Sequence, residues 1–175
     1  MNRLFSLALL SGVLLLSTGA AAADPAYIGR YQSTPEDVNA IMQLTHDFHD
    51  ALVAKNVRQL STLMFRSNIL FVSPASAERV KMLNEQKDVN FDGVPAAGFE
   101  QFAQFVSGTT GAIEEKFYNV KVVQDGHLAW VSFDFEFIQD AKVTNYGLET
   151  WQVLKTSGDK WKILSNVWSS HGAPR

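Results

Sequence analysis

The chain has 175 residues, 46% of them hydrophobic and 19% charged, with a formal net charge of −3 and no cysteine. That length suits one globular domain with a single core. The mildly negative balance offers no basic surface and so excludes nucleic acid as a partner, and the missing cysteine excludes disulfides, thiolate metal sites and a thiol nucleophile.

The N-terminus has three parts. Met1-Asn2-Arg3 is a short positive start, Leu4 to Ser17 is apolar, and Ala20 to Ala23 is a block of small residues before Asp24-Pro25. This is the layout of a bacterial secretory signal peptide over residues 1–23, with cleavage expected near Ala23. The rival reading, an uncleaved anchor, needs roughly 20 apolar residues, more than this run supplies. The mature chain is therefore expected to be periplasmic or secreted, with no membrane attachment after cleavage. Residues 24–35 read as an N-terminal leader and residues 36–171 as the domain.

Thr34-Pro35-Glu36-Asp37 is a helix start: a capping Thr, Pro at the first helical position and two acids in the first turn. Val38, Ile41, Met42, Phe48, Leu52 and Val53 follow at helical spacing, with Thr45 and His49 on the same stripe, so a helix is predicted to about Lys55. Val57, Leu60, Leu63 and Met64 predict a second, short helix. Asn68 to Ser73 reads as a strand stopped by Pro74. Ala77 to Lys87 suits either a short helix or a charged loop. Phe99, Phe102, Phe105 and Val106 share one side of a third helix. Ile113 to Gln124 predicts a strand with Asp125-Gly126 as its hairpin turn. Three further strands, LAWVSFDFEFI, YGLETWQVLK and KWKILSNVWSS, close the chain and carry all four tryptophans. Helices followed by antiparallel strands give an α+β layout in which the sheet bends around the helices.

Two local motifs carry a family resemblance. One is Gly158-Asp159-Lys160-Trp161-Lys162-Ile163 followed by Asn166-Val167-Trp168-Ser169; the other is the helix-turn-helix-strand stretch ALVAKNVRQLSTLMFRSNILFVSP. With the order of elements, they resemble the nuclear transport factor 2-like superfamily in its SnoaL-like branch. The resemblance implies a cone: a curved antiparallel sheet with three helices packed in its concave face. It is weak about chemistry, because the fold hosts enzymes, binding proteins and assembly modules. Matched to the ketosteroid isomerase pattern, the tyrosine donor falls at Phe48, the general base at Ser73 and the protonated aspartate at or beside Trp151. None of these supplies the required group, so that isomerase chemistry is rejected. The His, Asp and Arg sets of the scytalone dehydratase and epoxide hydrolase patterns do not place either.

Strand alternation allows two assignments of the faces. In one, Ala129, Val131, Phe133, Phe135 and Phe137 lie against the helices and the acids of that strand face water. The resemblance implies the other: Trp130, Asp134, Glu136, Glu149, Trp151, Asn166 and Trp168 line the concave side. Val131, Phe133, Phe135, Trp161, Ile163 and Val167 then form a convex side covered by a second subunit, a homodimer.

The expected pocket residues are Phe48, His49, Trp130, Asp134, Glu149, Trp151, Asn166 and Trp168. The leading reading is an exported protein binding a small, partly apolar molecule. The second is a lyase, isomerase or hydrolase in which His49 works with Asp134, Glu136 or Glu149 as an acid–base pair. The third is a dimerisation module whose aromatic packing fills the cone. No metal or cofactor is implied, and no Ser-His-Asp order, P-loop or dinucleotide fingerprint is present.

Overall fold

The structure, a computed structural model, describes residues 24–95 and 97–173. The expected signal peptide lies outside the described residues. Residues 24–30 are grouped apart from the rest of the chain and contain a turn in which the Ile28 N–H donates to the Pro25 carbonyl. The helices and the sheet belong to the unit from Tyr31 onward.

Helix α1, Pro35–Val53, starts where the capping signal places it, and the Thr34 hydroxyl accepts from the Asp37 N–H. It buries Ile41, Leu44, Thr45, Phe48, Ala51 and Leu52. Helix α2, Val57–Leu63, is capped by Asn56. Strand β1, Leu70–Val72, leads to α3, Ala77–Gln86, which resolves the ambiguous stretch as a helix. None of its residues is fully buried, so α3 adds to the three expected helices without joining the core. Helix α4, Phe99–Gly108, buries Phe99 and Val106.

The strands are β2, Ile113–Asp125; β3, Leu128–Gln139; β4, Lys142–Lys155; β5, Trp161–Trp168; and β6, His171–Gly172. They form one curved, unclosed sheet in the order β1-β5-β4-β3-β2, with β6 beside β4. β1 runs parallel to β5, and every other pairing is antiparallel. The hairpin turn after β2 is Gly126-His127, one residue beyond the expected position, because Asp125 still pairs with Leu128.

Register decides the faces, and it corrects the expected concave set. Val131 pairs with Trp151 and Phe133 with Glu149, so these four share a face, and all four are buried. Trp130 pairs with Gln152 on the opposite face and is 45% exposed; Asp134 pairs with Leu148 there. The inner face of β3 is therefore its Val/Phe side, while that of β4 holds Glu149 and Trp151. Trp161 and Ile163 are also inside, not on an outer dimer face. On β5 the pairing skips Leu164, between Ile163↔Val153 and Ser165↔Gln152, so Ile163 and Asn166 are both buried. A second register shift on β2, between Tyr118 and Lys121 with Asn119 at φ 54°, has the same effect.

The core is aromatic. Phe48 of α1 lies 5.1 Å from Trp151, Phe133 lies 5.1 Å from Trp151 edge-on, and Phe117 lies 4.4 Å from Phe133. At the other end, Asp37 of α1 pairs with Lys155 Nζ at 2.8 Å and accepts from Trp161 Nε1 at 3.1 Å. Gln124 also donates to Asp37, and its amide oxygen accepts from Ser33 and Thr34. The last leader residues are thus tied to the sheet.

After β5 the chain turns at Ser169, whose main chain crosses Gly147 of β4. A Cβ on Gly147 would meet the Ser169 carbonyl oxygen at 2.3 Å, so a side chain there must push the end of β5 away. Gly147→Ala is expected to lower stability by about 1–3 kcal/mol, read as a fall in Tm by thermal denaturation. An unchanged Tm would mean that Ser169 moves without cost.

Candidate functional site

The helices fill only part of the hollow. Phe48, Phe117, Phe133 and Trp151 close one part, and beside them a cavity of about 350 Å³ opens. That size lies in the range of small-molecule sites. Its walls are Phe71 of β1, Phe102 and Phe105 of α4, Phe135 and Phe137 of β3, and Trp168 of β5. The Phe71 and Phe102 rings lie 4.7 Å apart, tilted by 33°, Trp168 stands edge-on to Phe71 at 5.6 Å, and the partly exposed Phe105 lies 5.9 Å from Phe137.

The polar lining converges on two carboxyl groups, Glu115 of β2 and Glu149 of β4. Their strands are separated by β3, yet the side chains hydrogen-bond to each other. Glu149 is 2% exposed, and its Oε1 accepts from Trp151 Nε1 and from Asn166 Nδ2, both at 2.6 Å. The donors match an ionised Glu149, and the remaining partner, Glu115, supplies a proton.

Burial sets the electrostatics. It pushes the Glu149 carboxyl up from 4.5 to about 7, against the Trp151, Glu115 and Asn166 hydrogen bonds, which favour its charge. Glu115 is raised well above the usual carboxylate range, first by burial, then by the neighbouring Glu149 charge and by donating to it. The pair therefore titrates as a unit that holds one proton near neutrality. Asn166 leaves an open valence: its Oδ1 is buried and accepts no hydrogen bond from the described residues.

Of the expected pocket residues, Glu149, Asn166 and Trp168 line the cavity. Phe48 and Trp151 sit behind it in the core. Trp130 and Asp134 are on the outer face, where Asp134 accepts from Asn119 at 2.7 Å. Glu136 accepts there from the Tyr118 hydroxyl at 2.8 Å. His49 is at the edge of α1, with Nδ1 3.0 Å from Asp50 and Nε2 3.5 Å from Glu114. Its expected pairing with a pocket carboxylate is thereby corrected, because that side of α1 faces the rim of β2. Glu115 was missed. Its signal was its place between Ile113 and Phe117 on one strand face, a carboxylate where an apolar residue belongs. Among the described residues no group of three His, Cys, Asp or Glu is placed to hold a metal, and no helix is long and apolar enough to cross a membrane.

A curved sheet with helices in its hollow and a cavity at the open side defines a class. Solved structures of the same shape include a protein from Streptomyces avermitilis provisionally described as a dehydratase of the NTF2-like family. It is 18% identical, with a TM-score of 0.59, over 80% of this chain and 100% of that one. A provisionally named scytalone dehydratase from Novosphingobium aromaticivorans is 13% identical, with a TM-score of 0.57, over 79% of this chain and 87% of that one. An NTF2-like protein of unknown function from Pseudomonas putida KT2440 is 12% identical, with a TM-score of 0.58, over 79% and 89%. The chain thus has the nuclear transport factor 2-like fold. No family model matches its sequence, and no curated protein matches it.

The glutamate pair and Asp37 predict opposite arms of a pH profile. Between about pH 4.5 and 7 the folded pair keeps protons that the unfolded chain releases, so stability falls as pH rises through that window. Asp37 is held down to about 2 by Lys155 and Trp161, so its contribution is present above 3.8 and is lost as pH falls through about 2. Tm measured across pH is expected to peak between the two windows, and Glu115→Gln is expected to flatten the neutral arm only. An equally steep neutral arm in that variant would remove the pair as its cause.

Proposed function

We propose that the protein binds a small, partly apolar molecule in the cone cavity. The observation that carries this reading is the aromatic box built around a buried polar floor, with the Asn166 acceptor left open. The buried Trp151 indole needs one acceptor, but stability alone gives no reason to meet that need with a carboxylate, a second carboxyl group and an unpaired amide oxygen. The apolar walls supply affinity and the floor supplies orientation.

The glutamate pair favours acid–base turnover as a second reading. A shared proton near neutrality is what general acid–base catalysis uses, and two neighbours of the same fold are provisionally described as dehydratases. In this reading Glu149 and Glu115, not His49, carry the chemistry. Recovery of a retained molecule unchanged after incubation favours the binder, and its conversion favours the enzyme.

We further propose that the protein is exported and works as a homodimer. The signal-peptide pattern supports export, with Asp24 as the mature N-terminus. The outer sheet face, where Tyr118, Val123, Leu128, Trp130 and Leu148 are exposed, supports pairing.

Native mass spectrometry of protein isolated from its source cells tests these readings together. The expected species is a dimer of chains beginning at Asp24, with a small-molecule mass attached. A strict monomer would sink the dimer, and an intact N-terminus would sink export. Phe105→Ser at the cavity mouth is expected to cost about 1–2 kcal/mol of binding, roughly tenfold in Kd, with little change in Tm. Undiminished retention in that variant would mean that the molecule sits elsewhere.

A further inference from the structure

We infer that the cavity selects a ligand with a protonated amine head and an aromatic or other apolar body, the ammonium group seated between the Glu115–Glu149 pair and Asn166 Oδ1. This rests on reading the cavity as a small-molecule site, and it adds the chemical class of the molecule.

The cavity lining contains two carboxyl groups and no Lys, Arg or His. The groups facing Glu149 are Glu115 from β2, Trp151 from its own strand and Asn166 from β5, all of them neutral donors; α1 and α4 present Phe48, Phe102 and the amide of Gln101. No cation among the described residues pairs with either glutamate. A buried carboxylate without a counter-charge is costly, and a ligand cation is the partner the protein does not supply. A ligand anion would add a second buried negative charge and is disfavoured for the same reason.

An ammonium group has three donors and no acceptor. A carboxylate offers about four lone-pair sites. Trp151 and Asn166 occupy two on Glu149 Oε1, and the Glu115 proton takes a third. One site on Glu149, the free carboxyl oxygen of Glu115 and the Asn166 Oδ1 remain as acceptors in one small region. A single hydroxyl would leave most of them unmet.

Phe71, Phe102, Phe135, Phe137 and Trp168 present ring surface around this floor. Aromatic faces attract a cation, most strongly when it is desolvated. They also accept the apolar body that a cavity of about 350 Å³ has room for.

The test is calorimetric titration of the full mature chain with four molecules of matched shape: 2-phenylethylamine, 2-phenylethanol, phenylacetate and ethylbenzene. The amine is expected to bind about tenfold or more tightly than the alcohol, and phenylacetate is expected not to bind. Amine affinity is expected to rise from about pH 5 to about pH 8, where an alkylamine stays protonated while the pair gives up a proton. Alcohol affinity is expected to stay flat over that range. Glu149→Gln is expected to abolish the amine preference, bringing amine affinity down to that of the alcohol. If that variant does not fold, the wild-type pH dependence carries the test alone. Equal binding of amine, alcohol and ethylbenzene would overturn the amine assignment and leave the cavity reading standing. Failure of all four to bind would overturn both.

Discussion

The contact on which the rest depends is the hydrogen bond from Trp151 Nε1 to Glu149 Oε1, at 2.6 Å. Trp151 is the hub of the core, with its ring against Phe48, Phe117 and Phe133. A fully buried indole must find an acceptor for its N–H. The acceptor here is a carboxylate two residues earlier on the same strand. That choice creates a second demand, because a buried carboxylate needs donors of its own. Asn166 meets it from β5 and Glu115 from β2. Meeting it leaves Asn166 with an open acceptor and Glu115 with a raised proton affinity. One packing decision in the core thus propagates into the polar floor of the cavity.

The same hub explains why the hollow is half filled. Aromatic rings from α1, β2, β3 and β4 close around Trp151 and leave no space there. Toward the β1 and α4 side the rings stand as walls, and the strand face between them carries Glu149, Asn166 and Glu115 instead of further phenyl groups. Short residues contribute too. Gly147 presents no side chain, so Ser169 can cross β4 and β6 can pair beyond it. The alternative of a cone filled by aromatic packing therefore describes the surroundings of Trp151, whereas Trp168 is part of the cavity wall.

Much of this was legible in the sequence. The α1 cap, the helical stripes, the strand runs and the closing motif place the elements and the fold, because each rests on local chemistry that the chain states directly. Glu149, Asn166 and Trp168 were found because the family resemblance implies that the face of β4 and β5 holding Trp151 and Trp168 looks into the hollow. The faces were not legible. Parity within one strand is fixed by alternation, but parity between strands depends on turn and bulge geometry, and one residue reverses it. Thr144 of β4, left unpaired between Phe137↔Asn145 and Ile138↔Val143, is such a residue in the β3–β4 hairpin, as are Leu164 and Asn119 elsewhere in the sheet. Carrying one parity across the β3–β4 hairpin put Trp130 and Asp134 in the pocket and Phe133 outside it. His49 failed for a related reason: a helical stripe is wide, and its margin can reach the rim carboxylates Asp50 and Glu114 before the hollow.

The energetic logic of the site runs against stability. At the far end of α1, Asp37 is ionised between Lys155, Trp161 and Gln124, where charge and hydrogen bonds both favour the fold. At the cavity the two glutamates are held only by neutral donors and by each other. Replacing such a group with hydrocarbon of the same shape is often neutral or stabilising, so folding alone does not account for it. A molecule that brings its own positive charge would change the balance, because it would bind the ionised folded pair and have no equivalent site in the unfolded chain. Occupancy and stability would then be linked, most strongly at the pH where the empty pair costs most. The cavity is thus incomplete as a piece of protein interior, and what it lacks is a donor-rich cation.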